Sequence, residues 1–320
     1  MLLREVAHLK RFCFLLACML ACSFLFASCA PNSNAPSSET RTVTDGIGRC
    51  VSVPKEGLRV ASLLGSFADI WYLSGGTLVA AAEDAWEDFS LPLEGAVNLG
   101  GAHSPSLEAV FSSGANLVLA SASTASHVAL EEALTAAGIA VLYFDLNSFD
   151  DYLSMLRTCT EITGREDLYE ENGIAQKERI DAVLAEYRAL SLTDAERKVL
   201  FLRASSGSVK AKGSEGTVLG EMLFDFGCIN IADGGALDDL SIEKIILDEP
   251  HHIFTVSMGK DETAAKASLD RMMAENPAWS TLDAIEEGRF HVMDRSLFHL
   301  KPNARWGDAY EALFDLLTAQ

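Results

Sequence analysis

The sequence predicts an α/β fold in which two lobes, each with a central parallel sheet, flank a helical connector. Short continuous apolar runs alternate with helical patterns in both halves of the chain, as in strands that are buried on both faces. Residues 150–190 between the halves show only helical patterns. A length of 320 residues and an apolar fraction of 49% are enough for two domains with complete cores.

Residues 1–28 have the pattern of a bacterial signal peptide. Arg4, Lys10 and Arg11 precede an apolar run over residues 12–28, which is shorter than the roughly 20 residues of a membrane-spanning helix. The run ends in Phe26-Ala27-Ser28-Cys29, which resembles a lipobox with Phe in place of the usual Leu. Cys29 is therefore the expected lipidation site. An ordinary signal peptide and an uncleaved anchor are the alternatives.

The rest of the chain is strongly acidic. Residues 1–28 carry a net charge of +2, so the total of −21 leaves −23 on the remaining 292 residues. Such a surface repels phosphate backbones and anionic lipid, which excludes nucleic-acid binding and charge-driven membrane docking. Residues 29–42 are rich in Pro, Asn and Ser, and this composition predicts a flexible tether.

The first lobe is predicted over residues 43–150. Residues 42–49 contain two turn signals, Asp45-Gly46 and Gly48-Arg49, and predict a hairpin. A helix is predicted from Gly65-Ser66 to Leu73. Four continuous apolar runs predict buried strands at residues 60–64, 78–82, 117–120 and 140–144.

The connector is predicted over residues 151–196 and the second lobe over residues 197–320. Apolar residues at helical spacing predict two helices in the connector, and Asn172-Gly173 interrupts the second one at a cost of about 1 kcal/mol relative to Ala. The second lobe repeats the strand pattern at residues 199–202, 253–256 and 290–293.

A short motif occurs once in each lobe. Ser106-Leu107-Glu108 and Ser241-Ile242-Glu243 each start a helix that leads into a buried strand, with the glutamate in the first turn. Carboxylates are favoured there by the helix dipole, so the motif alone leaves a shared surface role open.

Three segments, in this order, resemble the substrate-binding lipoproteins of ABC importers for iron–siderophore chelates, haem and cobalamin. The resemblance extends over residues 42–320. The segments are Thr44-Asp45-Gly46-Ile47-Gly48-Arg49 with Val53-Pro54 and Arg59-Val60-Ala61-Ser62-Leu63, then Pro105-Ser106-Leu107-Glu108 leading to Asn116-Leu117-Val118-Leu119-Ala120-Ser121, and finally Asn276-Pro277-Ala278-Trp279 with Leu282, Ala284, Gly288-Arg289 and Val292.

The resemblance implies two Rossmann-like lobes joined by one long helix, a ligand cleft between the lobes, and little closure on binding. It also implies a monomeric, lipid-anchored receptor on the extracytoplasmic face of the cell membrane, without a cofactor, that delivers an iron chelate to ABC permease and ATPase subunits. One acidic residue on each lobe would meet arginines of the permease, and Glu108 and Glu243 match those positions.

Ligands of parallel α/β sheets bind beyond the carboxyl ends of the strands, so the loops there supply the candidate site. The candidate ligand-binding residues are Ser66, Trp86, His103, Arg295, His299, Lys301 and Arg305. Residues 295–306 combine cations with aromatic side chains, which favours an anionic, partly apolar ligand such as a carboxylate siderophore, haem or a corrinoid. Two alternatives assign a structural role: Ser66 as a helix N-cap, and Arg305 as the start of the last helix.

Other chemistries have weaker support. His103 and His299, together with Glu83 or Asp84, would suit a transition metal only if they converged, and the sequence has no spaced histidine cluster. Without a nucleophile elbow, a P-loop or an HExxH motif, no catalytic residue is assigned, and a secreted enzyme on the same fold is the alternative of another class.

The remaining histidines and cysteines are expected to be structural. His251-His252 leads into a strand and is expected to pack, whereas His127 is expected on an exposed helix. Cys159 and Cys228 are predicted as small core residues, because three scattered cysteines form neither a disulfide framework nor a zinc site.

Overall fold

The computed structural model describes residues 39–235 and 241–319. The predicted signal peptide, Cys29 and the tether up to residue 38 lie outside these ranges. Strand β1 (Thr40–Thr44) begins inside the last part of the predicted tether and pairs antiparallel with β2 (Cys50–Pro54), which confirms the predicted hairpin. The Asp45 carboxylate closes the turn by accepting the Arg49 amide at 2.8 Å.

The first sheet has five parallel strands in the order β5-β4-β3-β6-β7. Its strands are β3 (Val60–Ser62), β4 (Leu78–Ala81), β5 (Val97–Asn98), β6 (Leu117–Ser121) and β7 (Ala140–Phe144). All four predicted strands are present. Strand β5 was not predicted, because two residues at a sheet edge leave no apolar run.

Helices connect these strands and cover the sheet. They are α1 (Gly65–Leu73), α2 (Asp84–Glu87), α3 (Leu107–Ser113), α4 (Ala125–Val128) and α5 (Glu131–Ala136). Helix α1 begins and ends where the sequence predicts.

The connector starts with α6 (Phe149–Thr163), which has a capping box between Ser148 and Asp151. After Gly164, helical structure runs without a break through α7 (Glu166–Tyr169), a π segment (Glu170–Ile174) and α8 (Ala175–Ala189). The predicted interruption at Asn172-Gly173 lies in the π segment. A Cβ at Gly173 would lie 3.0 Å from the Leu153 side chain, so this glycine permits close packing against α6.

The second sheet has four parallel strands in the order β10-β8-β11-β12, with β9 antiparallel to β8. Its strands are β8 (Lys198–Ala204), β9 (Val209–Ala211), β10 (Ile229–Asn230), β11 (His252–Ser257) and β12 (Phe290–Met293). The three predicted strands are confirmed. The sequence did not predict β9 and β10, which have three and two residues.

The helices of this half of the chain complete the α/β layers. They are α9 (Val218–Asp225), α10 (Ile242–Asp248), α11 (Glu262–Glu275), α12 (Asp283–Glu286), α13 (Arg295–Phe298) and α14 (Trp306–Thr318). Among the described residues, no helix is both long enough and apolar enough to cross a membrane.

One apolar cluster connects the two sheets. It includes Phe144 of the first sheet, Phe201 of the second and Leu184 of α8. At its centre the buried Trp306 ring lies 5.8 Å from the ring of Phe149. Because both lobes share this core, packing opposes large rigid-body movement between them.

The three cysteines of the described region are unpaired. Cys159 and Cys228 are buried, as predicted for core residues, and burial raises the pKa of both thiols. Cys50 is exposed.

Candidate ligand-binding site

The carboxyl edges of the two sheets face each other, and polar contacts join their loops. Arg295, which follows β12, forms a two-pronged ion pair with Asp88, which follows β4, at 2.9 and 3.3 Å. Both side chains are only 15% exposed. Lys260, after β11, pairs with Glu87. We call this contact region the inter-lobe seam, and it lies where the strand-end rule predicts a ligand.

Asn303 extends the seam toward helix α1. Its amide donates to the Ser66 carbonyl at 3.1 Å and to the Asp69 carboxylate at 2.7 Å. Burial raises the pKa of Asp69, while the hydrogen bond from Asn303 opposes that shift. Ser66, a predicted ligand residue, is thus buried at the seam and contacts the second lobe through its backbone.

Four basic side chains form a cluster at the seam: Arg203, Arg295, His299 and Lys301. Burial, together with the nearby charges of Arg203, Arg295 and Lys301, lowers the pKa of His299 to about 4. The imidazole is therefore neutral at pH 7. Burial also lowers the pKa of Lys301 to about 8, although its Nζ donates to the Asn147 Oδ1 at 3.3 Å.

Arg203 is the member of this basic cluster that the sequence analysis missed. In strand β8 it follows Val199 and Phe201 on one face by the strand period of two, and those two residues are buried in the shared core. Arg203 lies on the same face of β8, past the shared core and near the carboxyl end of the strand. A charged residue next to the carboxyl end of a strand, directly after the apolar run of residues 199–202, was the signal that could have identified it.

The guanidinium of Arg203 has no counter-ion in the described part of the chain. Within residues 39–235 and 241–319 this side chain makes no hydrogen bond or ion pair, and burial lowers its pKa. The Nε of Arg295 is also buried without a partner in the described chain. Half-buried guanidinium groups with free donors are suited to carboxylate or phosphate oxygens.

An acidic turn at residues 83–88 supplies the negative charge of the seam. Asp84 accepts the Gly65 amide at 2.9 Å, and burial raises the pKa of this carboxyl. A Cβ at Gly65 would lie 2.6 Å from the Ala85 nitrogen, so glycine is required for this approach. The N-cap of α1 is Leu64, without a side-chain hydrogen bond. The alternative of Ser66 as N-cap is therefore wrong, because Asp84 satisfies the first helical amide.

The other predicted ligand residues lie outside the basic cluster. Trp86 is half-buried and packs on an apolar group around Ala68 and Ala85. His103 is exposed in the turn before α3. Arg305 is exposed and pairs with Asp308 at 3.3 Å at the start of α14. The structure thus brings together Arg295, His299 and Lys301 and leaves Arg305 with the last helix.

The histidines do not assemble a metal site in the described region, which contains no group of three His, Cys, Asp or Glu side chains that could hold an ion. The expectation that His127 is exposed is wrong. Its Nδ1 accepts the Ser121 amide at 3.1 Å, and its Nε2 lies 2.7 Å from the Ala102 carbonyl. His252 is buried against His291, with ring nitrogens 3.1 Å apart, in agreement with the expected packing role.

Glu108 and Glu243 occupy equivalent exposed positions. Each is the second residue of a seven-residue helix, α3 or α10, behind a serine N-cap. Hydrogen bonds from its own backbone amide and from Ser241 lower the pKa of Glu243. Both carboxylates are accessible to a partner.

The sequence matches the family described as periplasmic binding protein over residues 60–297. A relative from Bacillus subtilis (strain 168), YhfQ, is named as an ABC transporter substrate-binding lipoprotein. It is 23% identical over 319 residues, which cover 93% of this chain and 94% of YhfQ.

Two solved structures illustrate the likeness in fold. SirA of Staphylococcus aureus, complexed with staphyloferrin B, has a TM-score of 0.65 at 19% identity, covering 87% of this chain and 98% of SirA. The periplasmic heme-binding protein RhuT from Roseiflexus sp. RS-1 has a TM-score of 0.63 at 20% identity, covering 81% of this chain and 97% of RhuT.

Proposed function

Because the chain belongs to the periplasmic binding protein family, we propose that it is the receptor of an ABC importer and captures an anionic iron chelate. An iron–siderophore complex is the preferred ligand. The receptor binds the chelate between its lobes, closes slightly and releases it to the permease. ATP is hydrolysed by a separate subunit, so the receptor itself only binds.

The observation that carries this proposal is the basic cluster at the inter-lobe seam. A chain with a net charge of −21 places Arg203, Arg295 and Lys301 around a neutral His299 at the edge where α/β sheets bind ligands. In the described chain, the Arg203 guanidinium has free donors, and Asp88 is the single ion-pair partner of Arg295. Carboxylate or catecholate oxygens of a chelate would satisfy them.

The remaining candidate residues would line the rim. The half-buried Trp86 ring offers a flat apolar surface beside the acidic turn, and we assign it to the apolar part of the ligand. His103 and Arg305 are exposed and would contact only the outer edge of a large chelate.

The relatives support this ligand class. SirA is described as complexed with staphyloferrin B, VctP from Vibrio cholerae as a catecholate-siderophore binding protein, and RhuT as heme-binding. Haem, through its propionates, and cobalamin are therefore the alternatives of the same class. A bare metal ion is a further alternative, and an enzyme on this fold is the alternative of another class.

A panel of ligands tests the proposal. The purified protein is heated with a ferric carboxylate siderophore, a ferric catecholate, haem, cobalamin or Fe³⁺ alone. A specific ligand at about 100 times its dissociation constant adds roughly 2.7 kcal/mol to the free energy of unfolding. The unfolding midpoint then rises by several degrees. If the midpoint rises only with Fe³⁺ or only with cobalamin, that compound replaces the iron chelate as the proposed ligand. If the midpoint stays unchanged with every iron chelate and tetrapyrrole, the proposal is overturned.

Membrane attachment and docking complete the proposed cycle. We assign lipidation to Cys29, which would hold the receptor on the extracytoplasmic face of the membrane.

Glu108 and Glu243 would dock on basic residues of the permease, one from each lobe. The double variant Glu108→Ala/Glu243→Ala should abolish chelate uptake while the dissociation constant for the chelate stays unchanged. Uptake at the unmodified rate would refute the docking role.

A further inference from the structure

Helices α3 and α10 are structural equivalents in the two lobes. Both have seven residues, and a serine N-cap, Ser106 or Ser241, accepts an amide three residues later. Both end at a residue with a left-handed backbone, Gly114 or Glu249. Position for position, Glu108 therefore corresponds to Glu243.

The two helices also expose apolar side chains at the same place. Val110 and Ile245, at equivalent positions, are fully buried and hold each helix on its sheet. The next residues, Phe111 and Ile246, are 44% and 38% exposed, and Leu247 is 82% exposed. Three residues after a glutamate, a helical side chain lies on the same face as that glutamate.

We propose that Phe111 in one lobe and Ile246 with Leu247 in the other are the apolar anchors of the permease-docking surface. This inference depends on the docking role proposed above for Glu108 and Glu243. Each anchor enters an apolar pocket of the permease beside the cation that pairs with the neighbouring glutamate. The apolar contacts supply most of the affinity, and the carboxylates supply orientation and association rate.

The charge of the surface identifies the partner as a basic one. If the partner were a second copy of this chain, the glutamates of the two copies would face each other. Each copy also carries a net charge of −21. Like charges at an interface oppose association. A permease face with cations next to apolar pockets complements both features, and the equivalent helices require one such contact for each lobe.

The matched controls are exposed apolar residues elsewhere in the second lobe, Phe224 in α9 and Val292 in β12, which are 64% and 71% exposed. The full-length receptor carries Phe111→Ser, Ile246→Ser or Leu247→Ser, with Phe224→Ser and Val292→Ser as controls. Its affinity for the permease–ATPase complex in nanodiscs is measured. We expect each anchor variant to bind about tenfold more weakly, and the controls to bind as the unmodified receptor does.

A photocrosslinking amino acid at position 111 or 246 of the full-length receptor identifies the partner in living cells. We expect a crosslink to the permease subunit from both positions, but not from position 292. Crosslinks between receptor copies would overturn the inference. If the glutamate variants lose uptake while the anchor variants bind normally, the anchors are refuted and the docking role stands. If neither set has an effect, the docking role itself fails.

Discussion

At the scale of single residues, the proposed ligand site depends on Arg203, a half-buried cation without a counter-ion in the described chain. Arg203 costs stability where it stands, because burial disfavours its charged form without a compensating ion pair in the described chain. Such a cost is retained at functional sites, where a ligand supplies the missing partner.

Arg203→Met should weaken binding of an anionic iron chelate at least tenfold, because hydrogen bonds to charged groups contribute about 1.5–3 kcal/mol. Stability should not fall, since an uncompensated cation is replaced by an apolar chain of similar length. Titration of the purified protein with the chelate measures the affinity. Lys210→Met is the matched control, because Lys210 is the exposed cross-strand neighbour of Arg203 in β9. If both variants weaken chelate binding equally, the loss of affinity comes from the lower net positive charge of the region and not from a contact of Arg203.

Lys301 gives a second residue-scale prediction, with a defined pH window. Its pKa of about 8 in the folded protein is below its ordinary value of 10.5, so the unfolded chain binds more protons between pH 8 and 10.5. Stability therefore rises with pH across that window, and the cost of the buried charge is fully present below pH 8. Lys301→Met should stabilise the protein by about 2 kcal/mol at pH 7 and by much less near pH 10.

Thermal unfolding at both pH values measures this change, with the exposed Lys266 in α11 substituted as control. The same variant should bind the chelate more weakly. A stabilisation that is the same at pH 7 and pH 10 would show that packing, not charge, is responsible.

At the scale of elements, the acidic turn at residues 83–88 holds the site together. One short helix, α2, and the residue after it place Asp84 on the start of α1 and Asp88 on Arg295. Asp88 therefore binds the Arg295 guanidinium, which an anionic ligand would also bind, and this ion pair links the two lobes. The proposed anionic ligand would compete with this carboxylate.

Asp88→Asn should raise the affinity for an anionic chelate about tenfold, because removing the carboxylate frees Arg295. It should also lower stability by about 1–3 kcal/mol, since a nearly buried cation loses its partner. Calorimetric titration and thermal unfolding measure the two effects. Glu87→Gln is the control, because its pair with Lys260 is exposed to solvent and contributes little to stability. If Asp88→Asn instead weakens chelate binding, the ion pair between Asp88 and Arg295 persists in the complex, and the predicted competition is wrong.

The connector decides how far the whole molecule can close. Helix α8 is tied to α14 by Arg179, whose guanidinium contacts Asp308 at 2.8 Å and Glu311 at 2.6 Å. On its other side the π segment packs on α6 at Gly173. A helix held along its length bends little, and the shared core opposes shear.

Small-angle X-ray scattering should therefore give the same radius of gyration, within error, for the empty and the chelate-loaded receptor. A clear decrease on loading would contradict the restraint by the connector. A dilution series is the control, because dimer formation would change the radius of gyration with concentration and could hide a change in shape.

The parts of this molecule that could be predicted from the sequence depend on local patterns. Continuous apolar runs identified seven strands, and the strand-end rule predicted a ligand role for the loop with Arg295, His299 and Lys301, which the structure places at the inter-lobe seam. Asp84, Arg203 and His127 were missed or misjudged because their surroundings come from distant segments. Asp84 caps a helix nineteen residues earlier in the chain, and the His127 ring bridges the backbone amide at the end of β6 and a carbonyl of the loop before α3.

The close approach of Gly65 and Asp84 also bears on how such a receptor can change over evolution. Successive residues in a helical turn point about 100° apart. One inserted or deleted residue in the turn at 83–88 would rotate Glu87 and Asp88 away from Lys260 and Arg295 together. A relative that retains both contacts is therefore expected to keep the length of the turn as well.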